Sequence, residues 1–138
     1  MKKLYFLIAI TLFVVACQKD DDNTDINNNN TTENFIGRWY RDTVIEILNN
    51  QTELVREENY GIYQLNSDET GLLTIGSTEY AVTWFFMKDQ NKINISEKDW
   101  VNQTYDITKI SSVKYKLSGR KYVGQNSIQR ILYLRKIK

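Results

Sequence analysis

The amino-acid sequence predicts an all-β domain, a small eight-stranded antiparallel up-and-down β-barrel over residues 35–138, preceded by an apolar leader and a polar spacer. Three observations carry this expectation. From Phe35 onward, apolar and polar residues alternate with a period of two in runs rich in Tyr, Ile, Val and Trp, the pattern of half-buried strands. Short clusters of Asn, Asp, Ser and Gly separate the runs, and because the chain has no proline these residues must make every turn. No stretch with helical spacing interrupts the series. Sequential strands joined by hairpin-type connections must hide their edges, and closing the meander into a barrel does so. A barrel of eight strands is wide enough either to be filled by side chains or to hold one small ligand.

Each element has its own justification. Phe35 to Leu48 alternates Gly37 and Trp39 on one side against Arg38 and Tyr40 on the other, and Asn49-Asn50-Gln51 turns the chain. Leu54 to Leu65 follows, then the polar connection Asn66 to Gly71 and the short strand Leu72 to Ile75. Glu79 to Met87 places Tyr80, Val82, Trp84 and Phe86 on one face. Lys92 to Ser96 leads to a polar loop containing Trp100, a rim position suited to a gate, a stacking platform or a lid. Thr104 to Ile110 carries Tyr105, Val113 to Ser118 carries Tyr115, and a glycine-containing loop (Gly119 to Asn126) reaches the last strand, Ile128 to Ile137. The inward set of Tyr80, Val82, Trp84, Phe86, Tyr105 and Tyr115 either lines a ligand cup, together with Trp100, or fills a closed core.

Composition narrows the chemistry. With no histidine, neither a Ser-His-Asp triad nor a His-ligated zinc is possible, and no metal or other cofactor is expected. The adjacent pair Glu57-Glu58 would point to opposite faces of a strand, so the two cannot act together on one bond. A non-enzymatic domain is the expectation. Residues 35–138 hold 15 basic and 12 acidic residues, well mixed, which is too mild an excess for a nucleic-acid partner.

The N-terminus reads as an address. Lys2 and Lys3 precede an apolar run, Leu4 to Ala16, which suits a signal-peptide core and falls short of the roughly 20 residues of a permanent span. It ends in Val14-Val15-Ala16-Cys17, which resembles the lipobox of bacterial lipoproteins. Residues 1–16 would then be the signal peptide, with Cys17 the lipidated residue; no second cysteine exists to pair with it. Gln18, Lys19, Asp20, Asp21 and Asp22 follow at once and resemble a lipoprotein export signal, which implies a lipid-anchored protein of the outer membrane, displayed at the cell surface. Residues 17–34 contain little that could repay ordering and read as a tether, holding the domain on the order of 20–25 Å from the lipid.

Gly37-Arg38-Trp39, opening the first strand, resembles the lipocalin Gly-x-Trp signature. The chain as a whole resembles lipocalin-like bacterial lipoproteins, with counterparts to their recurring features in Tyr63 to Gly71, Thr83-Trp84-Phe85 and Tyr105 to Ile110. The resemblance implies that Trp39 plugs the closed end of the barrel, with Arg135 packed across its ring (Arg130 being second choice). It also implies a membrane-held, non-enzymatic barrel whose partner is a small hydrophobic or amphipathic ligand. The alternative is a solid-core barrel that contacts an envelope protein or glycan.

Overall fold

The computed structural model describes residues 30–57 and 60–138, and of residues 52–57 the backbone. The leader, Cys17 and the run from Gln18 to Asp22 lie outside the described residues. A short helix, α1 (Thr32–Phe35), precedes nine strand segments: β1 (Gly37–Leu48), β2 (Thr52–Glu57), β3 (Ile62–Leu65), β4 (Thr70–Ile75), β5 (Thr78–Met87), β6 (Lys92–Glu97), β7 (Trp100–Ser111), β8 (Lys114–Val123) and β9 (Asn126–Lys136). Segments β2 and β3 lie along the same edge of β1 and share the role of one strand, as the single stretch Leu54 to Leu65 anticipates. From β3 each strand pairs antiparallel with the next, and β9 pairs back onto β1, so eight strands close an up-and-down barrel.

Strand direction gives the barrel two unlike ends. The β1–β2, β4–β5, β6–β7 and β8–β9 turns lie at one end, while α1 and the β3–β4, β5–β6 and β7–β8 connections lie at the other. Turn chemistry follows local sterics. In the three-residue β1–β2 connection Asn49 and Asn50 both take positive φ (49° and 59°), and the Leu48 carbonyl accepts from the Gln51 amide at 2.9 Å. In the β3–β4 turn, the Asp68 carboxylate accepts from the Thr70 amide at 3.1 Å and the Thr70 hydroxyl at 2.6 Å, which holds its pKa below the usual value.

Aromatic packing seals the α1 end. Phe35 stacks against Phe86 and tilts against Tyr115, with centroids 5.8 and 5.1 Å away. Trp39 meets Tyr115 edge-on at 5.6 Å and donates its indole N–H to the Phe35 carbonyl at 2.8 Å. A buried indole whose one polar atom is satisfied contributes its apolar area without a desolvation cost. Trp84 solves the same problem by donating to the carbonyls of Asn66 and Thr70.

Three boundaries differ from expectation. The folded part begins by Asn30, which is buried and donates to Asn91 at 2.7 Å, so residues 30–34 belong to the plug rather than to the tether. Strand β7 starts at Trp100, not at Thr104, so Trp100 does not sit in a loop. Finally, Gly119 to Asn126 is mostly strand, because β8 and β9 pair from Lys114 opposite Arg135 up to Val123 opposite Asn126. Gly119 sits mid-strand where a Cβ would come within 2.7 Å of the Thr104 carbonyl oxygen, a close approach that only glycine permits.

Candidate functional site

Two β-bulges aim the interior of the open half. In β1 the register against β9 shifts between Arg41 and Thr43, so Asp42 is extra and the inward parity changes. Trp39 and Arg41 face inward before it, and Val44 and Glu46 after it. In β7, Val101 and Asn102 together oppose the single residue Ser96 of β6, with Asn102 at φ 51°. The same device turns Trp100 inward and leaves Val101 outside.

The result is a cavity of 360 Å³ at the open end. Its floor is a buried polar cluster around Glu97. The carboxylate accepts from Tyr63 at 2.7 Å, from Arg41 Nη1 at 3.3 Å, and from Arg130 Nη1. Arg130 also reaches Tyr105, at 3.5 Å, and its Nε stands 3.3 Å from the Glu46 carboxylate on the wall. Arg41 and Arg130 are only 1% and 4% exposed. The Nε atoms of both are buried without a hydrogen-bond partner among the described residues.

Electrostatics follow from this burial. Desolvation pushes the Tyr105 phenol up to about 12 and the Tyr63 phenol further still, against the opposing pull of the arginines, so both are neutral, Tyr63 donating to Glu97 and Tyr105 accepting from Arg130. Desolvation alone would lower the pKa of Arg130, but the neighbouring Tyr105, Glu97 and Tyr63 outweigh it and raise the value. Above the floor, Trp100 is covered by two cations. The Arg130 guanidinium carbon lies 4.7 Å from its ring centroid, and Lys121 Nζ lies 4.0 Å away while donating to the Asp99 carbonyl. Leu73, Ile75 and Ile128 supply apolar wall.

The expected lining set divides. Tyr80 and Trp100 line the cavity. Val82, Trp84 and Tyr115 face inward as their alternation predicts, yet they belong to the packed core with Phe86 against it, and Tyr105 contributes its hydroxyl to the cluster below. The interior is thus packed at one end and hollow at the other, so the barrel is not solid. Trp39 occupies the closed end, but the cation over its ring is Lys136, at 5.2 Å, and not Arg135. The register explains the correction. Lys136 pairs with Trp39 and shares its face, while Arg135 pairs with Tyr40, lies over that ring at 4.7 Å, and binds Asp42 through two bonds of 2.8 Å.

Sequence reasoning missed Arg41, Glu46 and Glu97 altogether. Arg41 shares parity with Trp39 and was legible in principle; Glu46 was not, because its inward direction depends on the bulge at Asp42. Together, fold and site define a closed eight-stranded barrel with one plugged end and a charged cup at the other. No family model, curated protein or solved structure matches the chain.

Proposed function

We propose that this chain is a lipoprotein anchored through Cys17 to the outer membrane and displayed at the cell surface, whose lipocalin-like barrel binds a small amphipathic ligand without transforming it. The cavity carries this reading. At 360 Å³ it falls in the lower part of the range of about 300–1,000 Å³ typical of small-molecule sites, and it sets apolar wall beside a few convergent polar groups. Glu97 is engaged by three donors and both floor tyrosines are held neutral, an arrangement that supports binding rather than proton transfer. The polypeptide enters the barrel at the plugged end, so a tether running from that end to the lipid would leave the mouth facing away from the membrane.

Native mass spectrometry of the protein purified from its own membranes tests the ligand, and fractionation of Cys17→Ala tests the anchor. A co-purifying small molecule and loss of membrane attachment are the expected results. A uniformly bare mass would count against the cup, and a membrane-bound variant at full precursor mass would end the anchor.

A second reading has one observation in its favour. At the mouth, Val101, Tyr122 and Val123 are 68%, 73% and 56% exposed, an apolar rim suited to contact with an envelope protein or glycan.

A further inference from the structure

The geometry points to a ligand with a single negative charge: a one-chain amphiphile whose carboxylate seats on Arg41 and Arg130 while its apolar body lies against Leu73, Ile75 and Ile128. This rests on the cavity being a ligand site and specifies the class of that ligand. The buried floor holds two guanidinium groups but one buried carboxylate, Glu97, and its two phenols are neutral. Glu46, the next acid, is only partly buried and reaches Arg130 alone. Over the cavity as a whole, the four cations Arg41, Arg130, Lys98 and Lys121 face the three carboxylates of Glu46, Glu97 and Asp99. The lining therefore carries one net positive charge, with Lys98 and Asp99 exposed at the mouth and Arg41 and Arg130 buried in the floor.

An unpartnered donor agrees with this count. Arg41, which lines the cavity, keeps a buried Nε–H without an acceptor among the described residues, while the Nε of Arg130 has the Glu46 carboxylate 3.3 Å away but outside hydrogen-bond geometry. A planar guanidinium fork with spare donors matches the two oxygens of a carboxylate. Size favours a single short chain over a two-chain lipid, because 360 Å³ cannot take both chains and the head group of a phospholipid. Tyr80 and Trp100 stand above the floor, each with a cation against its ring, Lys98 at 5.5 Å and Lys121 at 4.0 Å, so positive charge continues from the mouth to the floor.

Calorimetric titration of the full-length protein in phosphatidylcholine nanodiscs, with empty discs as blank, tests this using octanoate, octan-1-ol and octyl phosphate. Octanoate is expected to bind at least about tenfold more tightly than octan-1-ol, since a charge-assisted bond to a desolvated guanidinium outweighs a neutral one. Arg130→Met should bring the two ligands within about twofold of each other. If that variant fails to fold, Lys98→Ala, on an exposed side chain, should still weaken octanoate by about twofold to threefold and leave octan-1-ol unchanged. Equal affinity for octanoate and octan-1-ol would overturn the anionic head while leaving the cavity as a site. Tighter binding of octyl phosphate than of octanoate would overturn the carboxylate. Binding of none of the three would overturn both this inference and the cavity reading beneath it.

Discussion

Arg130 and Trp100 are stacked, the guanidinium carbon 4.7 Å from the ring centroid, and this contact joins the charged floor of the cavity to its wall. Arg130 thereby touches four side chains that do different things: Glu97 balances its charge, Tyr105 accepts from it, Glu46 stands beside it and Trp100 shields it. A residue with so many buried relationships makes the cluster sensitive to the loss of any one partner.

Glu97→Ala should be the most damaging single change in the open half. It leaves two buried guanidinium groups without their shared carboxylate, a loss in the range of about 3–5 kcal/mol for breaking a buried pair. Glu46 can take up part of the Arg130 charge, so the lower part of that range is expected. Urea denaturation of the variant against the parent measures it, and a change within experimental error would show that the cluster contributes nothing to folding.

The closed end makes a contrasting prediction. Phe35→Ala removes a fully buried ring that three aromatic neighbours touch, at an expected cost of about 3–5 kcal/mol. Arg135→Ala breaks a half-exposed pair with Asp42 and should cost under about 1 kcal/mol. The Trp39 indole resonance should stay in place in Arg135→Ala and move in Lys136→Ala. The reverse pattern would restore Arg135 as the partner of the plug tryptophan.

Alkaline pH should unfold the protein through its floor tyrosines. Their folded-state pKa values lie above the ordinary 10.0, with Tyr105 at about 12 and Tyr63 beyond it. The stability they contribute is complete below pH 10, because both states then hold these protons. Above it the unfolded chain releases them first, so stability falls as pH rises from about 10 through 12. Absorbance titration should show these two phenols ionising together with loss of the near-ultraviolet circular dichroism, after the exposed tyrosines. Ionisation of every tyrosine near pH 10 in a folded barrel would contradict the buried cluster.

Gly119→Val should destabilise by about 1–3 kcal/mol, the usual cost of overpacking. The new side chain would collide with the Thr104 carbonyl oxygen at 2.7 Å and the Tyr105 ring at 2.8 Å, and backbone cannot yield as a flexible side chain does. Thermal unfolding reads the effect, and an unchanged midpoint would show that β7 and β8 are less closely paired there.

The barrel was legible because alternation in strands such as β5 is unbroken. Tyr80, Val82, Trp84 and Phe86 all face inward, as a period of two requires. The cavity was far less so. Its floor is made of residues separated by up to 89 positions, Arg41 and Arg130, whose meeting depends on the closure of β9 onto β1. Trp100 and Glu46 owe their inward direction to bulges, which break parity without a local signature strong enough to predict them. Arg135 was misassigned for a different reason, since facing Trp39 or Tyr40 is a matter of one residue in register.

Photo-crosslinking of the full-length protein with a neutral alkyl diazirine tests occupancy of the cup most directly, because it asks where an apolar chain rests whatever its head group. Adducts are expected on Ile75, Tyr80, Trp100 and Ile128 around the cavity, and competition by excess octan-1-ol should remove them. Adducts confined to the outward-facing Leu72, Phe85 and Ile110, with the cavity residues unlabelled, would contradict a ligand site inside the barrel.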